Sequence, residues 1–322
     1  MQAGRSGGPD ALRKPAKQGV WASRARRAHD ATKPGARPTE CSVLTPSTQA
    51  LPISQSHNFN GAVALVTGSG RGLGRMIAET LLAGGAAVAL HDISEDAPAQ
   101  YGESPSLTAL ADELSKRGGG RVIAVTGDIG NPDDVAAMVR TVQDRLGPIS
   151  ILVNCAGGDI AAKGGKPDPN DALNISLEDI HAVMNRNFIG TMLVCRAVVP
   201  GMAARGRGAV INFGSLNGHV GVSPEVVYGC AKAAILHYTR CLALEMRPHG
   251  VRVNAVSPGP TTTARFLATR ATDPSRMEGV SLDRYAKPSE IAGAVAFLAG
   301  EQAAFVTGQV LRVDGGMTLF AG

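Results

Sequence analysis

Short apolar runs alternate with longer amphipathic stretches from about residue 58 to the end of the chain. Runs with the length and composition of buried strands occupy residues 62–67, 86–90, 121–126, 149–153 and 209–213. Helical patterns occupy residues 76–82, about 133–146, and a long stretch that opens near Pro224 and Glu225, where proline in the first turn is typical of a helix start. This alternation predicts a parallel, doubly wound α/β sheet with helices on both faces.

The first apolar run leads directly into a glycine-rich turn. A strict G-x-G-x-x-G pattern is absent, and the spacing is T-G-x-x-x-G-x-G, with Gly68, Gly72 and Gly74 as the glycines. These glycines permit a tight turn and let the backbone approach a pyrophosphate at the following helix N-terminus. A plain strand-to-helix turn rarely needs so many glycines. The stretch therefore predicts a dinucleotide-binding loop.

An acidic residue follows the second apolar run. Asp92 lies twenty residues after Gly72, which is the spacing at which a carboxylate accepts hydrogen bonds from an adenosine ribose diol. An aspartate after a strand is also a common turn former. The distance from the glycine loop favours the binding role.

A serine, a tyrosine and a lysine form the candidate catalytic group. Ser215 follows the run at 209–213, and Tyr228 and Lys232 are four residues apart on the next predicted helix, so their side chains share one face. A free tyrosine has a pKa of about 10 and is a poor base at neutral pH, but a neighbouring cation favours its phenolate. The three residues predict general acid/base catalysis, although each is ordinary when taken alone.

Together these motifs resemble the short-chain dehydrogenase/reductase family over residues 58–322. Further matches are the N-x-A-G segment at Asn154–Gly157, the N-F-I-G segment at Asn187–Gly190, the P-G stretch at Pro258, the P-S-E segment at Pro288 and the segment Gly308–Gly316. The resemblance implies one Rossmann-type domain of about seven parallel strands, spanning residues 57–322. It also implies hydride transfer between a nicotinamide cofactor and a secondary alcohol or ketone.

The resemblance also assigns the site residues. It implies a catalytic set of Ser215, which orients the substrate oxygen, Tyr228, which exchanges the proton, Lys232, which binds the ribose and lowers the Tyr228 pKa, and Asn187, which supports a water relay. It implies cofactor contacts from Tyr228 and Lys232 and from Gly68, Arg71, Gly72, Leu73, Gly74, Asp92, Asp128, Ile129, Asn154, Ala156, Gly157, Pro258, Gly259, Thr261 and Thr263. Cys155 departs from the common N-N-A-G form, and residues 158–174 and 261–282 are expected to form the substrate rim.

Two residues make opposite predictions about the cofactor. Arg71 stands where a cation in this family often meets the 2′-phosphate of NADP. Asp92 accepts from the ribose hydroxyls of NAD and repels that phosphate, and Ile93 beside it supplies no compensating cation. A few kcal/mol of repulsion would weaken the binding of NADP relative to NAD by about a hundredfold or more. We therefore expect NAD to be preferred over NADP.

Two alternatives remain for the activity. A 3-oxoacyl thioester reductase would meet its acyl carrier protein with a basic patch, which Arg265, Arg270 and Arg276 would supply, although solvated surface charges are the commoner explanation. A non-catalytic, cofactor-binding protein of the same fold is the other alternative. Such descendants usually lose the tyrosine or the lysine, and both are present here.

The N-terminal segment, residues 1–56, differs in composition from the rest. It holds nine Lys/Arg and three Asp/Glu, a net +6 in a chain of net +5, so the remaining residues carry −1. This near neutrality argues against a nucleic-acid partner. The segment is rich in Pro, Gly, Ser and Arg, without hydrophobic periodicity, which predicts a disordered and dispensable extension. An organellar transit peptide and a mis-assigned start codon are the alternatives.

Cysteine content and hydropathy limit the expected cellular location. The five cysteines are odd in number and have neither paired nor metal-ligand spacing, which predicts reduced thiols and no metal site. No uninterrupted apolar run reaches the ~18 residues that a bilayer span requires. We expect a cytoplasmic enzyme without a membrane partner. Family members commonly associate through their long helices, so we expect a homotetramer, with apolar positions at Leu236, Leu242, Leu244 and Met246 available for contact.

Overall fold

The structure is a computed structural model that describes residues 58–118 and 121–319. The predicted extension at residues 1–56 lies outside these ranges. Seven strands form one sheet: β1 (Val63–Thr67), β2 (Ala87–Asp92), β3 (Val122–Thr126), β4 (Ile151–Asn154), β5 (Gly208–Phe213), β6 (Val251–Pro258) and β7 (Val310–Val313). The five strands expected from the apolar runs are thus confirmed, with ends that differ by one or two residues.

Every strand pairing in this sheet is parallel, and the order is β3-β2-β1-β4-β5-β6-β7. The chain builds outward from β1 to β3, then returns to place β4 on the other side of β1. That reversal opens a crevice at the carboxyl ends of β1 and β4, which is where ligands of such sheets bind. Thr67 and Asn154 are paired at these two ends.

Helices cover both faces of the sheet, as the sequence predicts. Their bounds are α1 (Gly72–Ala83), α2 (Leu107–Gly118), α3 (Pro132–Leu146), α4 (Leu177–Met184), α5 (Gly190–Ala204), α6 (Val226–Met246), α7 (Ala264–Thr269) and α8 (Pro288–Ala299). One core cluster packs α1, α2 and α8 against the sheet, around Leu81, Leu110 and Val295. The other packs α3, α5 and α6, around Val142 and Val198. Burial of these apolar side chains is the main stabilising contribution.

A short π-helix, Asn185–Ile189, joins α4 to α5 and makes one helix of 28 residues, Leu177–Ala204. Its composition and length meet the criterion for a membrane span, with a mean hydropathy of 1.4 over its best window. This span was not predicted from the sequence because isolated charges interrupt its apolar run, whereas the mean hydropathy over a window tolerates them. Val194, Val198 and Met202 on its buried side belong to the core cluster, which accounts for the apolar composition.

Two helix starts differ from expectation. Helix α1 begins at Gly72, inside the glycine turn, four residues earlier than its hydrophobic pattern. Helix α6 begins at Val226, and Glu225 before it has a φ of 77°, in the left-handed region. Pro224 therefore precedes the helix and is not in its first turn. The Glu225 side chain has several partners in the site, described below.

Candidate active site

A cavity of about 410 Å³ lies at the carboxyl ends of the strands. Such a volume is within the usual range for cofactor and substrate sites. Its wall includes seventeen of the nineteen residues expected in the site: Gly68, Arg71, Gly72, Leu73, Gly74, Asp92, Asp128, Ile129, Ala156, Gly157, Ser215, Tyr228, Lys232, Pro258, Gly259, Thr261 and Thr263. The structure thus brings these distant segments to one place. Asn154 and Asn187 are the two expected residues that do not line the cavity.

The glycine loop forms the floor of one end of this cavity. Gly68 and Gly72 have φ values of 66° and 55°, which side chains other than glycine rarely adopt. A Cβ at Gly74 would lie 2.1 Å from the carbonyl oxygen of Gly68, so only glycine fits there. The loop therefore exposes bare backbone where α1 begins.

Two side chains at the end of β2 hold this loop. The Asp92 carboxylate is buried and accepts the amide N–H of Gly70 at 3.3 Å and that of Ile93 at 2.9 Å. His91, which the sequence analysis did not identify, accepts from the Gly68 amide through Nδ1 and faces the carbonyl oxygen of Gly127 through Nε2 at 3.0 Å. Burial lowers the pKa of His91, so it is neutral at neutral pH.

Residues after β2 cover the same end of the cavity. The Arg71 guanidinium donates to the carbonyl oxygen of Ala97 at 2.9 Å and to the Gln100 side chain, and it lies 5.1 Å from the centre of the Tyr101 ring. Both carboxylate oxygens of Glu103 accept the Gly72 amide N–H, at 2.9 and 3.0 Å. Glu103 was not predicted, because only the fold places it against the start of α1.

Ser215, Tyr228 and Lys232 meet at the other end, as predicted. Ser215 stands just after β5 and lines the cavity together with Tyr228. Tyr228 is in the first turn of α6. Lys232 is buried beneath them, with Nζ donating to the carbonyl oxygen of Phe213 at 2.9 Å and lying 5.6 Å from the centre of the Tyr228 ring.

The protonation states of this group differ from the prediction. Burial lowers the pKa of Lys232 to about 8. Burial also raises the pKa of Tyr228, although the Ser215 side chain and the charges of Arg270 and Arg265 oppose that rise. The expected lowering of the Tyr228 pKa by Lys232 is therefore not found. Lys232 donates to a backbone carbonyl instead, and burial outweighs the favourable charges.

The two asparagines outside the cavity wall serve its framework. Asn187 is fully buried in the π-helix, where its amide accepts the Gly158 N–H and donates to the Gly158 carbonyl oxygen, both at 2.9 Å. Its third bond reaches the carbonyl oxygen of Val183. Asn154 donates to Asn212 at 2.9 Å and to the Cys195 sulfur, behind the cavity. The Asn187 side chain thus fixes the backbone at Gly158, and the Asn154 side chain bonds to buried side chains of the core.

Six charged or polar side chains near Ser215 and Tyr228, at the substrate end of the cavity, were not predicted as catalytic or cofactor-binding residues. The buried Glu225 carboxylate accepts from Lys166 at 2.6 Å, from Arg270 at 2.8 Å and from Asn217 at 2.8 Å. Asp159 is also buried and accepts from Asn170 at 2.7 Å. Burial raises the pKa of Asp159. The expected rim segments, residues 158–174 and 261–282, contribute four of these residues, the turn after β5 contributes Asn217, and Glu225 immediately precedes α6.

Comparisons with known proteins agree with this geometry. The family model described as enoyl-(acyl carrier protein) reductase matches residues 68–318. A 3-oxoacyl-[acyl-carrier-protein] reductase of Synechocystis sp. is 35% identical over 264 residues, 80% of this chain and 97% of that protein. A 2-(S)-hydroxypropyl-CoM dehydrogenase of Xanthobacter autotrophicus is 35% identical over 270 residues, 82% and 99% of the two chains.

A solved structure described as a short chain dehydrogenase/reductase family protein is 35% identical, with a TM-score of 0.66 over 80% of this chain and 98% of the other. The chain belongs to the short-chain dehydrogenase/reductase family. It is accordingly an NAD(P)-dependent oxidoreductase that transfers a hydride between a nicotinamide cofactor and a secondary alcohol or ketone.

Proposed function

We propose that this protein is an NAD-dependent dehydrogenase of secondary alcohols, working with Ser215, Tyr228 and Lys232 as its catalytic residues. The observation that carries the proposal is that Ser215, Tyr228 and Lys232 share one cavity with the glycine loop. Hydride transfer needs the dinucleotide and the reacting oxygen side by side, and a shared cavity meets this requirement.

The residues of the glycine loop fit a dinucleotide. A Cβ at Gly68 would collide with the backbone of Ala156, and a Cβ at Gly74 with the carbonyl oxygen of Gly68, so the tight turn requires glycine at both positions. Asp92 bonds one amide through each of its oxygens, which leaves lone pairs free for ribose hydroxyls. The loop would hold the pyrophosphate and Asp92 the adenosine ribose.

The catalytic residues divide the work on the substrate oxygen. A bound nicotinamide dinucleotide supplies or accepts the hydride. The hydroxyls of Ser215 and Tyr228 would both bond the substrate oxygen, and Tyr228 would exchange the proton with it. Because burial raises the Tyr228 pKa, the phenol carries its proton at neutral pH, ready for donation to a carbonyl. Lys232 fixes the floor of the site through Phe213.

The end of the cavity formed by the glycine loop and Asp92 would hold the adenosine, and we call it the adenosine end. Its surroundings support NAD over NADP. Arg71, the one motif residue that favours a 2′-phosphate, is engaged by the carbonyl oxygen of Ala97 and by Gln100. Asp92 and Glu103 place two carboxylates at the same end of the cavity. A dianionic phosphate would meet both, whereas the ribose diol of NAD can donate to Asp92.

The carrier-protein patch expected for the thioester alternative is only partly present. Among the three arginines that would form a carrier-protein patch, Arg270 pairs with Glu225 and Arg276 lies 4.7 Å from the centre of the Tyr285 ring. Both are engaged within the chain. Several relatives are named 3-oxoacyl-[acyl-carrier-protein] reductases, and the substrate screen described below therefore includes thioesters.

A homotetramer in the cytoplasm completes the proposal. Of the four apolar positions expected on α6, Leu236 and Leu242 are buried in their own core, whereas Leu244 is exposed. Phe297 on α8 and Leu311 on β7 are also exposed apolar side chains, which a subunit contact would cover. The four described cysteines are free thiols, as in a reducing compartment. Light scattering that gives only a monomer would disprove the assembly.

The test is a substrate screen with the purified full chain. Secondary alcohols with NAD, and ketones and 3-oxoacyl thioesters with NADH, are followed by the absorbance of the reduced cofactor. We expect turnover that falls by about three or more orders of magnitude in Tyr228→Phe, while calorimetry shows unchanged NAD binding. The loss reflects the missing proton exchange.

Three results would contradict parts of this proposal. A Tyr228→Phe variant that keeps more than about a tenth of the rate would remove Tyr228 from its role. Equal or better activity with NADP than with NAD would show that Arg71, and not Asp92, determines the cofactor preference. NAD binding without turnover of any compound would favour the non-catalytic alternative.

A further inference from the structure

Arg265 differs from the other cations at the substrate end of the cavity. It is the second residue of α7, is partly buried, and lines the cavity. Among residues 58–118 and 121–319, no carboxylate forms an ion pair with it and no hydrogen bond from its guanidinium is present. A guanidinium carries five donors and a fixed charge, so Arg265 is available to pair with an anion that enters the cavity.

The neighbouring charges leave Arg265 as an uncompensated cation. The charged groups at this end of the cavity are Lys166, Arg186, Arg265, Arg270, Asp159 and Glu225, and the Asp128 carboxylate acts on Arg186. Glu225 is shared between Lys166 and Arg270, and Arg186 donates to the carbonyl oxygen of Ile160 at 2.7 Å. Asp159 is occupied by Asn170, and burial favours its neutral form. The substrate end therefore carries net positive charge.

This guanidinium lies against the backbone of the cavity wall at Gly158. A Cβ at Gly158 would lie 2.6 Å from Arg265 Nη1, so the glycine makes room for the charged group. Asn187 fixes Gly158 through both of its backbone groups. The charge of Arg265 also acts on Tyr228, where it favours the phenolate. A ligand bonded to Tyr228 would thus lie within the field of Arg265.

We propose that Arg265 is an anion anchor for the substrate, and that the substrate is a secondary alcohol or ketone bearing a carboxylate or a comparable anionic group. This proposal rests on the function proposed above and names its substrate class. A carboxylate paired with a guanidinium forms charge-assisted hydrogen bonds, which fix orientation as well as affinity. The anchor would hold the acid end while Ser215 and Tyr228 hold the reacting oxygen.

The experiment compares acids with their neutral esters. Acetoacetate and methyl acetoacetate, and 3-oxohexanoate and methyl 3-oxohexanoate, are reduced with NADH by the full chain. We expect the wild-type kcat/KM to favour each acid by about tenfold or more. Arg265→Met, which keeps an unbranched apolar stem, should lower that preference by at least about tenfold. Arg265→Lys should retain part of it. Arg140→Met removes an exposed arginine from α3 and should leave the preference unchanged.

A binding measurement separates anchoring from turnover and from the cofactor. Calorimetry in the Tyr228→Phe background, saturated with NADH, should show the same loss of acid binding when Arg265→Met is added. The Kd of NADH should change by less than about threefold. A larger change in the Kd of NADH, with equal losses of kcat/KM for acid and ester, would show that Arg265 binds the pyrophosphate of the cofactor. That result would overturn the proposal.

Two further outcomes separate a failure of the anchor from a failure of the proposed dehydrogenase function. A wild-type enzyme that reduces the esters as well as the acids, or an Arg265→Met enzyme with an unchanged preference, would overturn the anchor while leaving the dehydrogenase function intact. An absence of turnover with every alcohol, ketone and thioester would count against the proposed function itself. Acid binding to the Tyr228→Phe protein that depends on Arg265 would still support the anchor in that case.

Discussion

The two ends of the cavity are built in different ways. At the adenosine end, side chains from adjacent strands and turns bond to backbone: Asp92 to Gly70, and His91 to Gly68 and Gly127. At the substrate end, side chains bond to one another across long sequence separations. Glu225 joins Lys166, which is 59 residues away, to Arg270, which is 45 residues away.

This difference determines how each end responds to change. Glycine backbone in a tight turn admits almost no substitution, because the neighbouring atoms cannot move. A set of ion pairs at a partly open rim can exchange partners at smaller cost. We therefore expect the adenosine end to be fixed by the fold and the substrate end to set the choice of substrate. The predictions below test that contrast, beginning with the largest effect.

The largest effect is expected at Gly74. In Gly74→Ala the new methyl group would lie 2.1 Å from the Gly68 carbonyl oxygen, and the loop must deform. We expect NAD affinity to fall by about a hundredfold or more and the free energy of unfolding to fall by about 2–4 kcal/mol. Calorimetry and urea unfolding measure the two quantities.

Gly293→Ala is the matched control for this variant. Gly293 lies within α8 and has no atom within 4 Å of the position of an added Cβ. Alanine there should stabilise the protein by about 0.5–1 kcal/mol through helix propensity and leave NAD binding unchanged. If Gly74→Ala behaves like Gly293→Ala, the adenosine end is not rigid.

The next effect concerns the buried lysine. Burial lowers the pKa of Lys232 from 10.5 to about 8, so the unfolded chain binds more protons between these values. Stability should then rise as pH increases from about 8 toward 10.5. Lys232→Met should lose activity and lack this rise. At pH 7 it should be more stable than the wild type by about 1–3 kcal/mol. Parallel pH curves from urea unfolding of the two proteins would disprove the shift.

The adenosine end was predictable from sequence because its function is local. Gly68, Gly72 and Gly74 stand within seven residues, and a backbone requirement of this kind leaves a readable spacing. Asp92 follows from the same strand-and-turn unit. The α6 motif of Tyr228 and Lys232 is equally local, since four residues on one helix fix their shared face. These positions all line the cavity.

The rest could not be predicted because tertiary contacts decide it. Glu103 bonds Gly72 only because the segment after β2 folds back over the loop, and no pattern marks that return. Glu225 was interpreted as part of a helix start, whereas its left-handed backbone turns the carboxylate toward Lys166 and Arg270. The pKa of Tyr228 depends on burial, which spacing does not reveal.

Cofactor choice provides a smaller effect at the adenosine end. NAD should exceed NADP in kcat/KM by at least about tenfold, and Asp92→Ser should narrow that gap by about tenfold. Serine removes the charge that repels a 2′-phosphate and leaves one hydroxyl oxygen in place of the two carboxylate oxygens that accept the Gly70 and Ile93 amides. Steady-state kinetics with both cofactors measure the ratio. An unchanged ratio of the two kcat/KM values in Asp92→Ser would show that Asp92 does not determine the cofactor preference.

The smallest effect is expected at Glu103, the second carboxylate of the adenosine end. Glu103→Gln keeps an oxygen that accepts the Gly72 amide, so the loop geometry is preserved while one negative charge is removed. Affinity for both dinucleotides should rise, and the preference for NAD should fall by about two- to fivefold, since a partly exposed charge is screened by water and salt. The difference from wild type should shrink at high ionic strength. Glu113→Gln, which removes an exposed carboxylate from α2, should leave both affinities unchanged. If Glu103→Gln strengthens NAD and NADP binding equally, the Glu103 charge acts on the pyrophosphate that both dinucleotides share and has no part in cofactor choice.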